Sequence, residues 1–294
     1  MLYTNLWTPI RKAIAKDDLE DFRLLIEKCA NINSINDMMC WTPLTKVIDS
    51  GKIEFVRILI ENDADINMPD PKGRTPIDRA ICRGNLEIIH LLIEKGADIS
   101  LTQAIGCGKI ELVRLLIENG ADINMADLGG RTPINRAISI SNLEIMSLLI
   151  EKGADIDHVD NLGWTPLTKA IHSNEIEIVK VLIAKRAKLE LRSGFGISPL
   201  SEAVYKNNLH IVKVLVENGA SINNHDGYGG TPFQNAVIEK HMDIVDFFIQ
   251  NGADLKLKTV NFRNNSMELA LKGNTFDIVK KLIHHERKIF STNI

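Results

Sequence analysis

The chain has 294 residues, of which 45% are hydrophobic, 35 are basic and 38 are acidic. Its net charge of −3 excludes a global field that would draw the protein onto nucleic acid or an anionic membrane, so any electrostatic preference must come from local placement of charge. Aromatic residues make up only 5%, and the apolar stock is mostly Ile, Leu, Val and Ala, which suits thin layers of packed helices.

The four cysteines, Cys29, Cys40, Cys82 and Cys107, show no CxxC spacing, and each falls at a different place within its repeat. We therefore expect no disulfide or zinc framework and a reducing compartment. The first residues, Met-Leu-Tyr-Thr-Asn-Leu-Trp, lack a basic segment followed by an apolar one, so we expect no secretory signal. Apolar runs are far shorter than a membrane span. We expect a cytoplasmic protein.

A Thr-Pro or Ser-Pro dipeptide recurs along the whole chain, at Thr8, Thr42, Thr75, Thr132, Thr165, Ser198 and Thr231. The steps between these positions are 34, 33, 57, 33, 33 and 33 residues. A period near 33 is typical of a stacked helical-repeat array, which presents a long surface to another molecule.

Each unit follows one template in chain order. An Asp and then a Gly two residues before the Thr predict a turn, because Asp bonds its own backbone and Gly adopts positive φ. Thr as N-cap and Pro as first helical residue predict a short helix, which ends after an Ala-Ile or Ala-Val pair. A second amphipathic helix follows, as at residues 85–93, and a Gly ends it, as in Glu-Lys-Gly-Ala-Asp-Ile at 94–99.

These motifs (Asp-x-x-Gly-x-Thr-Pro-Leu, Gly-Asn-Leu-Glu-Ile-Ile-x-Leu-Leu-Ile and Gly-Ala-Asp-Ile-Asn) resemble the ankyrin repeat family over essentially the whole chain. The resemblance implies an all-α solenoid of stacked helix–turn–helix units with short β-hairpin turns, in a single domain over residues 1–294. Degenerate units at residues 99 and 260 bring the count to nine repeats, with the first and last acting as caps. Their approximate bounds are 3–36, 37–69, 70–98, 99–126, 127–159, 160–192, 193–225, 226–259 and 260–294.

The sequence departs from the family pattern in three ways. The His usual three residues after the Thr is absent from every repeat, so its hydrogen bonds between repeats must be replaced or lost. Cys40 stands where the turn Gly belongs, which predicts a distorted turn before Thr42. From Thr75 to Ile99, the equivalent position in the fourth unit, is only 24 residues, nine short of the period. We therefore expect one hairpin to be missing between repeats 3 and 4 and an irregular stack at residues 97–102, as a tolerated loop deletion or as a notch for a partner.

Two rows of residues are candidate partner contacts, because in this family the hairpin tips and first helices line the concave face. The position before the Thr holds Trp7, Trp41, Arg74, Arg131 and Trp164, residue types enriched in interface hot spots or able to pack on the neighbouring hairpin. The position four after the Thr holds Lys12, Lys46, Arg79, Arg136 and Lys169, and Arg83 extends this basic row. We predict that the row binds an acidic or phosphorylated surface, the alternative being a solvated face.

Aromatic residues mark the later repeats. We expect Tyr205 and Tyr228 to be exposed partner contacts, and Phe233, which follows Pro, to belong to the core.

The function predicted from these observations is protein binding, as an adaptor, inhibitor or effector, with another protein as partner. The alternatives are binding of nucleic acid or another polyanion through the basic row, which the net charge makes unlikely, and a structural spacer. No phosphate-binding Gly-rich loop or hydrolase motif is present and the histidines are scattered, so we expect no enzyme activity, catalytic residue, metal or cofactor. We expect a monomer that does not bind membranes. Bare arrays of this kind also occur among pathogen and viral proteins that act inside a host cell.

Overall fold

The computed structural model describes residues 7–28, 31–34 and 41–292. Within these ranges the chain is all helical, with 18 helices and no strand. The first helices of the repeats are α1 (Trp7–Lys16), α3 (Pro43–Ser50), α5 (Pro76–Arg83), α7 (Leu101–Gly106), α9 (Pro133–Ser139), α11 (Pro166–His172), α13 (Pro199–Tyr205), α15 (Pro232–Ile238) and α17 (Ser266–Lys272). The second helices are α2 (Leu19–Glu27), α4 (Ile53–Glu61), α6 (Leu86–Glu94), α8 (Ile110–Glu118), α10 (Leu143–Glu151), α12 (Ile176–Ala184), α14 (Leu209–Glu217), α16 (Met242–Gln250) and α18 (Phe276–Thr292).

The chain divides into two compact units, residues 1–122 and 123–294. Unit 1 holds α1 to α8, and unit 2 holds α9 to α18. In each unit a first helix packs against the second helix of its own repeat and against the first helix of the next repeat. Each of the nine predicted repeat intervals contains one helix pair, and the all-α solenoid fold is confirmed.

Most first helices begin as predicted, with Thr or Ser as N-cap and Pro at the first helical position. In α11 the main-chain N–H of Thr168 donates to Thr165 Oγ1 at 3.1 Å, and the N–H of Thr165 donates back to Thr168 Oγ1 at 2.7 Å. This reciprocal capping box satisfies two backbone donors that a helix start leaves open, and such a cap contributes about 1 kcal/mol.

The residues that stand in place of the family His mostly form such caps and so keep their hydrogen bonds within the repeat. Gln234 also reaches the loop that follows α16 in its own repeat, where its Nε2 donates to Leu257 O at 2.7 Å. Bonds between repeats come instead from the loops after the second helices. In unit 1 the N–H of Asp98 donates to Asn67 Oδ1 at 2.9 Å, and in unit 2 the N–H of Asp254 donates to Asn223 Oδ1 at 2.9 Å.

The core of each unit consists of the apolar residues that the helical period predicts. In α5 Ile77, Ala80 and Ile81 are fully buried, and in unit 2 the predicted core residue Phe233 is fully buried, which confirms that assignment. The Phe233 ring packs edge-on against Phe248, with the ring centroids 6.4 Å apart. Burying a Leu, Ile or Phe side chain contributes roughly 1.5–3 kcal/mol, so stacking supplies the stability that one short helix pair lacks.

The missing hairpin is confirmed. The connection from α6 to α7 spans only residues 95–100, whereas the connection from α4 to α5 spans residues 62–75. Residues 97–100 form no regular structure, and α7 is a helix of 6 residues whose N-cap, Ser100, makes no side-chain cap bond. The Ser100 hydroxyl instead lies 2.8 Å from Thr102 Oγ1. The irregularity predicted at residues 97–102 is therefore present.

The remaining turn tips that the structure describes are tight turns, and no β-hairpin strands flank them. At the tip of repeat 3 the N–H of Gly73 donates to Asp70 O, and the N–H of Asp70 donates to Arg74 O, both at 2.8 Å. Asp70 Oδ1 also accepts the N–H groups of Lys72 and Arg74. Because Thr75, the N-cap of α5, follows Arg74 directly, no residues are left after the turn for a strand. The turn that contains Cys40 lies outside the described residues.

In unit 2 consecutive turn tips approach each other backbone to backbone. The N–H of Gly227 donates to Gly196 O at 2.8 Å, and that of Val260 donates to Gly229 O at 2.8 Å. At Gly163 a Cβ atom would lie 1.9 Å from the nitrogen of Gly194, a distance that no side chain tolerates. The tip glycines therefore allow neighbouring backbones to approach closely, as well as adopting positive φ.

We predict that Gly163→Ala destabilises the protein more than Gly153→Ala does. Both glycines have positive φ, +81° and +95°, but only Gly163 faces a neighbouring backbone, and nothing lies within 4 Å of a Cβ at Gly153. Overpacking should make the Gly163 variant less stable by a further 1–3 kcal/mol or so, measured by urea denaturation. Equal losses in the two variants would show that the tips do not pack closely.

Candidate functional site

Trp41 is the centre of a basic cluster in unit 1. Lys46 Nζ lies 5.0 Å from the Trp41 ring centroid and Arg79 Cζ lies 4.5 Å from it, both within cation–π range. The ring thus contacts two members of the predicted basic row, because stacking places the start of repeat 2 beside the first helix of repeat 3.

Two carboxylates neutralise much of this cluster. Arg79 Nη2 lies 3.0 Å from Asp70 Oδ2, and Arg79 Nη1 lies 3.8 Å from Asp49 Oδ1. Arg74 donates to the same Asp70 oxygen through Nε at 2.9 Å, and its Nη2 lies 2.8 Å from that oxygen. Arg83 donates to Asp49 through Nε at 2.8 Å and Nη2 at 2.5 Å. The Arg79 side chain is only 12% exposed, so it packs inside the cluster.

The hydrogen bonds at the turn of repeat 3 also favour the charged form of its carboxylate, Asp70. Burial opposes the ionisation of Asp70, but the N–H of Arg74, its guanidinium and the N–H of Lys72 together lower the pKa of Asp70. In unit 2 burial likewise opposes ionisation of Asp127, and the N–H and guanidinium of Arg131 outweigh it, so the pKa of Asp127 is also lowered. Both carboxylates are therefore charged partners of the arginine that precedes the Thr-Pro motif.

A cavity of about 210 Å³ opens beside this cluster, lined by Asp49, Arg74, Arg79, Cys82 and Arg83. The Cys82 thiol accepts a hydrogen bond from Gln103 Nε2 at 3.0 Å. Burial and the neighbouring Cys82 thiol raise the pKa of Cys107, and both cysteines are free.

The basic residues of unit 2 form no such cluster. Arg131 pairs with Asp127, its Nη2 lying 2.9 Å from Oδ2, yet its side chain is 61% exposed. Arg136 is exposed and has no acidic partner in the part of the chain that the structure describes. Lys169 is half-buried. Trp164 packs edge-on against His172, with ring centroids 4.8 Å apart.

In repeats 7 and 8 the position four after the Ser or Thr of the Pro dipeptide holds Glu202 and Asn235, whose side chains are buried and paired. Glu202 lies 2.7 Å from His172 Nδ1, and Asn235 donates to Asp226 Oδ2 at 2.7 Å. Tyr205 donates its hydroxyl to that same oxygen at 3.2 Å. Burial and the Asp226 carboxylate raise the pKa of Tyr205, so this phenol stays protonated.

The two predicted exposed tyrosines therefore differ. Tyr228 is 58% exposed, as expected, whereas Tyr205 is half-buried because its hydroxyl is bound to Asp226. The expectation that Tyr205 is exposed was wrong.

The structure brings five predicted contacts together in unit 1: Trp41, Lys46, Arg74, Arg79 and Arg83. The unit 2 candidates Arg131, Arg136, Trp164, Lys169, Tyr205 and Tyr228 are distributed over separate repeats. The side chain of Trp7 lies outside what the structure describes.

Sequence reasoning largely missed a row of exposed apolar side chains at the turn tips of unit 2, here called the tip row: Leu128, Leu162, Phe195, Tyr228 and Phe262. Leu162 and Phe195 are 68% and 66% exposed. Hydrogen bonds join neighbouring tips, as where the Asn261 side chain donates through Nδ2 to Tyr228 O at 2.9 Å. The signal was available, since apolar residues stand three or four places before the Thr or Ser of the Pro dipeptide in repeats 5 to 8. In repeat 3 the tip carries Pro71 and Lys72 instead.

Within the described ranges no three metal-ligating side chains lie together. No helix there combines the length and apolar character that crossing a membrane requires.

Comparison with known proteins gives one result. Three copies of the family model described as ankyrin repeats match residues 10–103, 101–193 and 200–293. No curated protein matches the chain.

We predict that Asp70→Asn destabilises the protein at neutral pH by roughly 1.5–3 kcal/mol, the usual contribution of hydrogen bonds to a charged group. Because the pKa of Asp70 is lowered on folding, its stabilisation is complete above the unfolded value near 3.9 and is lost as pH falls through the folded value. The gap between wild type and variant should therefore narrow in acid, as measured by urea denaturation across pH.

Asp277→Asn is the control, since it removes the same charge from a side chain that is 82% exposed. A gap for Asp70→Asn that stays constant down to strong acid would contradict the assigned role of this carboxylate.

Proposed function

Because the chain belongs to the ankyrin repeat family, whose repeats are generally protein–protein interaction modules, we propose that it binds another protein as an adaptor, inhibitor or effector and is not an enzyme. The observation that carries the proposal is the tip row of unit 2. Isolated exposed apolar side chains are ordinary on a protein surface, but five of them at the turn tips of successive repeats mark an interaction site.

The rigidity of the tips supports this role. The turns are fixed by Asp side chains that accept backbone N–H groups, as where Asp226 accepts the N–H of Tyr228 at 2.9 Å, and by the bonds from tip to tip. A preorganised row loses little conformational entropy when a partner docks. We propose that apolar partner side chains contact Leu162, Phe195 and Tyr228.

The basic residues give a second proposed contact, for acidic groups of the partner. Arg136 is exposed and has no acidic partner among the described residues, and the cluster around Trp41 has more guanidinium than carboxylate groups. Arg79, however, is committed to Asp49, Asp70 and Trp41, so we assign it a positioning role and Arg74 and Arg83 the outward contacts. Free thiols at Cys82 and Cys107 support a reducing, cytoplasmic setting, and we propose a monomer.

The test is quantitative affinity capture from a lysate of the cells that make the protein. Wild type is compared with Leu162→Ser/Phe195→Ser and with a matched control, Leu86→Ser/Leu271→Ser, which removes apolar side chains that are 54% and 53% exposed away from the tips. We expect proteins captured by wild type and control to fall about tenfold with the tip variant, since burying two such side chains contributes at least 1.4 kcal/mol to binding.

The thermal melts of all three proteins should agree, because none of the substituted residues is buried. Capture of the same proteins in equal amounts by the tip variant would reject the tip row as the contact surface. Loss of the same captured proteins with the Arg136→Glu variant would support the proposed contact between Arg136 and acidic groups of the partner.

A further inference from the structure

The cavity in unit 1 has the chemistry of an anion site. Three of its five lining residues are arginines, and every guanidinium there is held in place by a carboxylate or by the Trp41 ring. We propose that this cavity binds one phosphoryl group, through Arg74 and Arg83 at its mouth. The inference deepens the proposed function and rests on it for the partner that would carry the group.

The charge balance leaves one positive charge available. Arg74, Arg79 and Arg83 face two carboxylates, those of Asp49 and Asp70. Asp70 is 2% exposed and Asp49 is 13% exposed, so both carboxylates are more buried than the side chains of Arg74 and Arg83. An incoming anion therefore meets the arginines first.

Unused donors remain on the exposed arginines. Arg74 and Arg83 each commit Nε and Nη2 to a carboxylate, and neither Nη1 has an acceptor among the residues that the structure describes. The Arg74 side chain is 37% exposed and that of Arg83 is 56% exposed. Fixed guanidinium groups whose remaining N–H donors are open to solvent are the usual means of holding phosphoryl oxygens.

The size and the donor set favour a phosphoryl group over a carboxylate. A cavity of about 210 Å³ holds several water molecules at roughly 30 Å³ each, which leaves room for a tetrahedral group and its ester link. A phosphoryl group offers three acceptor oxygens in different directions, whereas a carboxylate offers two in one plane. Donors from two separate arginines, one in a turn and one at the end of α5, suit the former.

Titration of the full chain at constant ionic strength tests the site, with binding followed through the NMR signals of the arginine Nε–H groups. The probes are inorganic phosphate, N-acetyl-O-phosphoserine amide and N-acetylglutamate amide. Arg83→Gln should weaken binding of the phosphoryl probes about tenfold, and Arg83→Lys less, because Lys keeps the charge but loses the planar donor fork. Arg57→Gln is the control, since it removes an equal charge from α4, on a side chain that is 48% exposed.

Saturable binding of phosphoryl probes that Arg83→Gln weakens and Arg57→Gln does not is the expected result. Tighter binding of phosphoserine amide than of phosphate would indicate that the ligand is a phosphoryl group carried on a polypeptide. The reverse order would indicate that the ligand is a free phosphate ion. The proposal is overturned if neither phosphoryl probe saturates, if Arg83→Gln binds as well as wild type, or if the glutamate probe binds equally tightly. No protein partner is present, so this result stands independently of the affinity capture.

Discussion

Burial of apolar surface between repeats is the constraint on which the rest of the structure depends. A pair of helices with nine or fewer residues each has too little length to be stable alone in water, and its apolar face can be covered only by the next pair. The Ala and Ile residues of the first helices allow neighbouring repeats to approach closely enough for the loops after the second helices to form hydrogen bonds between repeats. Close approach brings together side chains that lie one repeat apart in the sequence, and this creates both surfaces described above.

The two units use that juxtaposition differently. In unit 1 stacking brings Trp41, Asp49 and Asp70 around Arg79. The arginines there form an ordered cluster in which carboxylates neutralise all but one positive charge. In unit 2 glycine-rich turns approach closely enough to bond tip to tip, and the residue between the turn Asp and Gly is left exposed and apolar. A surface with fixed charges and a surface with fixed apolar side chains are each suited to recognition, because little ordering is required on binding.

The fold could be predicted almost completely from the sequence, because caps, turn glycines and helical period are local signals that each repeat restates. The missing hairpin could be predicted for the same reason, as a break in a regular spacing. The candidate contacts were harder. That Arg79 is committed to Asp49 and Asp70 depends on distances between repeats, which no local pattern contains, and the same is true of Tyr205 and Asp226. The β-hairpin expectation came from the family resemblance, but a helix begins directly after each turn and leaves no residues for a strand. The apolar residues of the tip row, such as Leu162 and Phe195, can be seen in the sequence, but whether they are exposed or buried cannot.

The most direct test of the central claim, that partners bind at the tips of unit 2, is hydrogen–deuterium exchange of the chain alone and with its captured partner. We expect new protection in the turn segments 127–131, 160–164, 193–197 and 226–230, with the second helices α10, α12, α14 and α16 unchanged. Protection confined to those second helices, with the turn segments exchanging as in the free chain, would contradict this claim and would place the partner on the opposite side of the repeats.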